Sequence, residues 1–439
     1  MTSKAKAMTS KAIPLPPLSG FTEREGNWYA EEVRLADLAK EFGTPLYVYS
    51  KKALTEAYQA YDKACIDSKG KRRARVHYAM KANSNLAVID CFKKLGAGFD
   101  LVSGGELARA LAIGADPKSL VFAGVGKSST EIAAALEAGV KCINVESIAE
   151  LHNVNRVAGK LNCRAPVSLR VNPDVDAQTH PYISTGLKGN KFGIAYHEVL
   201  KTYREASQLS QIDVVGIDCH IGSQIITTAP YLDALDKVLD LVEQLQKEGI
   251  VIHHLDLGGG LGICYSDETP PDITEFTNAL LNHVAERGFA HLDIVLEPGR
   301  SLVGNAGVLL TTIQYLKPGA EKNFCIVDAA MTELMRPALY EAHHGIVPVQ
   351  TKEAKSSTYD VVGPVCESGD WLGRDRKLAV EEGDLLAILS TGAYGFVMAS
   401  NYNTRPKPAE IMVDGKNVYV IRAREKTSDL FASENILSK

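Results

Sequence analysis

A chain of 439 residues with 45% hydrophobic residues, 23% charged residues and a formal charge of -5 can bury a large core. It lacks the basic excess of a nucleic-acid surface, a bilayer-spanning apolar run and the apolar core of a signal peptide, so a cytoplasmic protein without nucleic-acid or membrane partners is expected. Its eight cysteines stand singly with no CxxC pair, and His253-His254 and His343-His344 lack metal-site spacing, so neither a disulfide framework nor a metal is expected.

In chain order, residues 1–20 repeat Met-Thr-Ser-Lys-Ala and then turn proline-rich, which predicts a disordered tail. Residues 21–44 hold a strand-like opening and a helical run from Ala36 to Phe42, and are expected to join a C-terminal β domain. The apolar strand Pro45 to Ser50 and a helix from about Ala53 to Cys65 lead into a regular region. Eight apolar runs follow: Val76 to Ala82, Gly98 to Ser103, Leu120 to Val125, Cys142 to Glu146, Val167 to Asn172, Val214 to Gly222, His254 to Gly260 and Ile294 to Arg300. Most are continuous enough to be buried on both faces, as parallel strands are.

Helical patterns lie between these runs. Ser103-x-x-Glu106, Ser128-x-x-Glu131 and Ser147-x-x-Glu150 are capping-box sequences, and Gly114 and Gly139 stand where the first two helices should stop. Strand, cap, helix, glycine, strand is a βα repeat, and eight repeats close most economically into a (β/α)8 TIM barrel, expected over residues 45–305. From 306 to 439 the rhythm becomes strand after strand: Val308 to Leu316, Phe324 to Val327, Tyr359 to Gly363, Leu385 to Leu389 and Ile411 to Ile421, the last with an Asp414-Gly415 hairpin signal. The predicted class is thus α/β, a barrel plus a mainly antiparallel C-terminal β domain.

Chemistry in such a barrel collects at the C-terminal ends of its strands. The first run ends at Lys81, where apolar neighbours strip hydration and would lower the pKa toward that of an amine nucleophile, the requirement for Schiff-base chemistry. The sixth ends at His220-Ile-Gly-Ser223; His220 is either a satisfied core histidine or a ring that stacks on a planar ligand. Gly258-Gly259-Gly260 is either a tight turn or a nest of N–H groups for a phosphate. The eighth run ends at Glu297-Pro298-Gly299-Arg300, where a buried Glu297 needs a positive partner, either a protonated ring nitrogen or Arg300. Gly126-Lys127-Ser128 is not a P-loop, because Val121 holds the place of its leading glycine. Arg336 and Tyr340 would share a face if helical, and Cys366 stands beside Glu367 and Asp370.

Taken together, Tyr78-Ala-Met-Lys-Ala-Asn83, Phe99-Asp-Leu-Val-Ser-Gly-Gly-Glu-Leu107, the HIGSQ run, DLGGG, EPGR, CESGD and Tyr394 in GAYGF resemble the fold-type III decarboxylases that use pyridoxal phosphate. The resemblance runs from about Phe21 to the C-terminus and implies an alanine racemase-like barrel. It implies that Lys81 holds pyridoxal 5'-phosphate covalently, with Asp100 near the imine and His220 stacked on the ring. Ser223, Gly258, Gly259, Gly260, Gly299 and Arg300 would hold the phosphate with Tyr394 nearby, and Glu297 would pair with the ring nitrogen. Racemases of this fold place an arginine at that nitrogen. Arg300, Arg336 and Tyr340 would bind a distal carboxylate, Glu367 a distal ammonium, and Cys366, reaching in from the second subunit of a homodimer, would supply a proton.

The implied reaction is decarboxylation of meso-2,6-diaminopimelate to L-lysine and carbon dioxide, the last step of lysine biosynthesis. Two alternatives stand beside it: a sister enzyme acting on a carboxylated polyamine or a basic amino acid, and a non-catalytic binding protein. Lys81 and Cys366, which the latter would lose, are both present.

Overall fold

Eight parallel strands, one from each of the eight apolar runs, surround a single core and close on themselves. The computed structural model describes residues 15–176, 180, 183, 185–187 and 189–437. Most of the expected tail, residues 1–14, lies outside the described residues. Of its remainder, Pro16 is buried, and Pro17 accepts a hydrogen bond from Asn305 Nδ2 at 2.9 Å.

The chain opens with a small antiparallel sheet of β1 (Phe21–Arg24), β2 (Asn27–Ala30) and β3 (Val33–Arg34), followed by α1 (Leu35–Phe42), β4 (Leu46–Ser50) and α2 (Lys51–Ala64). The barrel strands are β5 (Ala74–Ala79), β6 (Gly98–Leu101), β7 (Leu120–Phe122), β8 (Cys142–Val145), β9 (Ala165–Asn172), β11 (Ile212–Asp218), β12 (His254–Asp256) and β13 (Asp293–Leu296), with the two-residue β10 (Ile194–Ala195) added beside β9. Each neighbouring pair is parallel, β8 pairs with β9, and β13 returns to β5, so no edge is left open. Strands β6 and β8 are buried at every residue, which is why they read as continuous apolar runs.

Between the strands run α3 (Leu86–Leu95), α4 (Gly104–Ala112), α5 (Ser129–Ala138), α6 (Ile148–Lys160), α7 (Tyr196–Gln208), α8 (Ala229–Lys247) and α9 (Ile273–Glu286). Helix α5 carries the full reciprocal capping box of Ser128 and Glu131 and stops at Gly139 in the left-handed conformation. In α4 and α6 the serine oxygen caps as expected, but Glu106 and Glu150 accept instead from the N–H of Val102 and Glu146, each at 2.7 Å. Ser103 and Ser147 are fully extended, φ -158°, and this turns the preceding N–H toward the carboxylate.

After the short α10 (Arg300–Val303) the chain builds a second, mixed sheet from β14 (Gly307–Lys317), β15 (Asn323–Val327), β16 (Ile346–Pro348), β17 (Ser357–Val362), β18 (Trp371–Leu378), β19 (Leu385–Ile388), β20 (Ala409–Asp414) and β21 (Asn417–Arg422), with α11 (Arg336–Tyr340) between β15 and β16. The β20–β21 hairpin turns at Gly415, φ +61°, as its Asp-Gly signal predicts. Two pairings are parallel, β15 with β17 and β20 with β4.

Strand β4 departs from the expected assignment to the barrel. It lies between β14 and β20 in the second sheet. All five of its residues are buried: Leu46 and Val48 enter a cluster with α1, while Tyr47 and Tyr49 enter another with Ile313, Leu334 and Ile388. Burial on both faces gives β4 the same unbroken apolar text as a barrel strand, so its sequence could not tell the two apart.

Candidate active site

The strand ends that looked chemically odd converge on one cavity of about 620 Å³ at the mouth of the barrel. Lys81 sits one turn beyond β5, between buried Met80 and Ala82. Register places Asp100 of β6 beside Ala79, and Lys81 Nζ donates to Asp100 Oδ2 at 3.0 Å. Burial disfavours the ammonium, but the carboxylate of Asp100 foremost, with Glu297 behind it, outweighs that cost and raises the lysine pKa above its ordinary value. The apolar environment expected to lower it is overridden by these carboxylates.

His220 follows β11, and its Nδ1 accepts from the N–H of Gly259 at 3.2 Å. Burial, Lys81 and Arg170 all disfavour the imidazolium, so the ring is neutral with its proton on Nε2. The triple glycine is demanded by close approach. A Cβ on Gly259 would lie 1.9 Å from the carbonyl oxygen of Glu297, and one on Gly258, which has φ +63°, would lie 2.7 Å from His220 Nδ1. Gly258 donates its N–H to Asp256 Oδ1 at 2.9 Å, so two N–H groups of the turn are already used and only Gly260 of the three lines the cavity. Gly259→Ala is expected to lower stability by about 1–3 kcal/mol or more through this clash, read as a lower urea midpoint at unchanged slope.

Glu297, at the end of β13, is 7% exposed and its Oε1 has no hydrogen-bond partner among the described residues. Arg300 is not its partner, since that guanidinium donates to Tyr265 Oη at 2.7 Å and Ser223 Oγ at 3.0 Å. Burial and the carboxylates of Asp100, Asp256 and Asp218 push the Glu297 pKa well up. Arg336 is 6% exposed, donates to His344 Nε2 at 2.8 Å, and stacks 4.5 Å from the Tyr265 ring centre. Because His344 Nδ1 lies 2.8 Å from the carbonyl of Leu389, its proton is on that nitrogen and Nε2 is free to accept from the arginine. Arg300 and Arg336 therefore flank one tyrosine ring, and neither forms an ion pair among the described residues. Tyr340 lies one helical turn past Arg336 and lines the same cavity.

Lys81, Asp100, His220, Ser223, Gly260, Glu297, Gly299, Arg300, Arg336, Tyr340 and Tyr394 all line the cavity. Gly258 and Gly259 sit behind it, and Cys366 and Glu367 do not reach it within one chain. Cys366 is exposed, its N–H donates to Asn403 Oδ1 at 2.9 Å, and Glu367 is hydrogen-bonded to Tyr402.

Sequence reasoning missed Arg170, Asp218, Asp256, Tyr265 and His344. For three of them a signal existed, because register sets Asp218 beside both Arg170 and Asp256 on adjacent strands. Charged residues at matching ends of parallel strands face one another across a barrel mouth. Arg170 donates to Glu146 Oε1 at 2.7 Å and lies 3.9 Å from Asp218 Oδ2, forming a buried strut beneath the site.

Comparison with known proteins agrees with this geometry. Residues 51–304 match the family model for the pyridoxal binding domain of pyridoxal-dependent decarboxylases. The diaminopimelate decarboxylase of Vibrio cholerae is 53% identical over 94% of this chain and 98% of its own length. The structure of diaminopimelate decarboxylase from Helicobacter pylori complexed with L-lysine superposes with a TM-score of 0.86 at 40% identity, covering 91% of this chain and 98% of that one. That of the M. jannaschii enzyme in co-complex with L-lysine does so at 0.90 and 40%, covering 95% and 98%. A lysine on a buried aspartate, an unpaired buried glutamate and two arginines without carboxylate partners at one barrel mouth suit this kinship, and the chain belongs to the pyridoxal-dependent decarboxylases and, within them, to the diaminopimelate decarboxylases.

Proposed function

We propose that this chain removes the carboxylate from one end of meso-2,6-diaminopimelate, releasing carbon dioxide and L-lysine, with pyridoxal 5'-phosphate as cofactor. The observation that carries the reading is the pair of buried arginines, Arg300 and Arg336, facing the cavity of Lys81 with no carboxylate among the described residues to neutralise them. A guanidinium held this way is a receptor for a carboxylate on a ligand.

The residues present fit the cofactor. The orphaned oxygen of buried Glu297 calls for a cationic N–H, which a protonated ring nitrogen provides. Lys81 would bind it covalently, and Ser223, Gly260, Gly299 and Arg300 would hold its phosphate. When bound, the cofactor supplies an electron sink for the pair left by the departing carboxylate. His220, neutral and anchored by Gly259, presents a ring face without adding charge. Asp100 holds Lys81 Nζ in place. Arg336, fixed by His344, would orient the far carboxylate together with Tyr340. The carbon that loses carbon dioxide must gain a proton, and the thiol of Cys366 would donate it from a second copy of the chain, whose Glu367 would meet the distal ammonium. A homodimer with shared sites is therefore part of the reading. Eight unpaired thiols suit a reducing compartment such as the cytoplasm, and no helix among the described residues is long and apolar enough to cross a membrane.

Carbon dioxide release by the purified protein, compared among meso-diaminopimelate, lysine, ornithine and arginine, tests the reading. Activity confined to diaminopimelate is expected; turnover only of substrates without a distal carboxylate would overturn it. For Arg336→Ala, kcat/KM on diaminopimelate should fall by about 2–5 kcal/mol, roughly thirtyfold to a few thousandfold, as expected when a buried charge partner is truncated. The cofactor's absorbance should not change in that variant.

A further inference from the structure

Beneath Glu297 lies an acid that the reaction above leaves unused. Asp256 closes β12 with 0% exposure, and one oxygen each of Asp218, Asp256 and Glu297 lie within 4.8 Å of one another. Asp256 Oδ1 accepts from Gly258 N–H, but its Oδ2, Glu297 Oε1 and Asp218 Oδ1 find no hydrogen-bond donor among the described residues. The groups facing Asp256 are Asp100 from β6, Cys142 and Asn144 from β8, Asp218 from β11 and Glu297 beyond β13. Arg170 donates its hydrogen bond to Glu146 and lies 3.9 Å from Asp218 Oδ2, so its charge serves those two acids rather than Asp256 and Glu297.

Three buried carboxylates this close cannot all stay ionised, and two carboxylate oxygens that face each other without a donor are satisfied only by a proton between them. We propose that Asp256 is a positioning residue for Glu297: the two share one proton in the empty site, and the charge of Asp256 keeps it resident where the cofactor's ring nitrogen will lie. The ring nitrogen then meets an acid that already carries a proton, and none need be drawn from solvent through a closed cavity. One oxygen of Asp256 meanwhile pins the glycine turn, so the same side chain ties that turn to the acid beside it. Burial, with the charge of Asp100, raises Asp256 to about 6 against the hydrogen bond it shares with Glu297, which lowers it, while burial and the charges of Asp100, Asp256 and Asp218 push Glu297 well above its ordinary range.

The inference rests on the reading that Glu297 faces the ring nitrogen, but its test does not need the cofactor. Infrared titration of the full-length chain stripped of cofactor should show the carbonyl stretch of a protonated carboxyl group persisting at neutral pH. Glu297→Gln should remove its component of that band, read as a difference spectrum against the wild type, while buried acids such as Asp218 keep theirs. Asp256→Asn keeps the shape and the acceptor for Gly258 N–H while removing the charge, and should lower the midpoint by about one pH unit or more. In the holoenzyme the same variant should lose about tenfold in kcat, one pKa unit being tenfold in proton occupancy, with KM little changed. A midpoint unmoved by Asp256→Asn, or a band whose intensity is unchanged by Glu297→Gln, overturns the shared proton. Failure of the wild type to bind pyridoxal phosphate would instead overturn the functional reading and leave the titration interpretable.

Discussion

Replacing Lys81 with alanine should abolish the cofactor's visible absorbance band on the purified protein and reduce kcat by about 10⁴-fold or more. The size of the loss follows from the absence of a substitute amine among the described residues. Lys127, the other lysine on the cavity wall, is locked by its Nζ to the carbonyls of Gly124 and Asn144, each at 2.7 Å, and to Glu150. Because Asp100 and its neighbours raise the Lys81 pKa, protein stripped of cofactor carries an ammonium there, and the free amine becomes more abundant as pH rises. Covalent uptake of cofactor by the stripped wild type should therefore quicken with pH across the neutral range, and absorbance stopped-flow would record it. A band that persists in Lys81→Ala would remove the lysine from its role.

Cys366→Ala should keep the wild-type absorbance band and turn over about 10²–10⁴-fold more slowly, the usual worth of a positioned proton donor. Within one chain Cys366 is exposed and outside the cavity, so its effect depends on a second copy. Mixing Lys81→Ala with Cys366→Ala protein, two preparations nearly inactive alone, should restore activity, because hybrid dimers hold one site with both groups intact. Wild-type rates from Cys366→Ala, or no recovery on mixing, would exclude a donor from across the interface.

Much of the barrel was legible because three of its units announce a serine cap and two of those a closing glycine, and because double burial leaves unbroken apolar runs. Lys81, Glu297 and the triple glycine stood out because a core has no use for them. Other features were invisible for physical reasons. The clash that requires Gly259 is with the backbone of Glu297, a distant part of the chain, and no local pattern records it. The reversed sign of the Lys81 shift depends on Asp100 lying 3.0 Å away, a consequence of strand register. His343-His344 looked idle because metal spacing was the only pattern sought, whereas His344 serves Arg336 by a single hydrogen bond.

The place of β4 between β14 and β20 has a consequence for synthesis. A nascent chain emits Leu46–Ser50 long before either neighbour exists, so Tyr47 and Tyr49 wait uncovered while the entire barrel is translated. Halting the chain at Gly304, where the family match ends, would strand that segment as an open, apolar edge. Strand β4 thus ties the two ends of the polypeptide into one cooperative unit, and a barrel released without its C-terminal sheet should aggregate rather than stand alone.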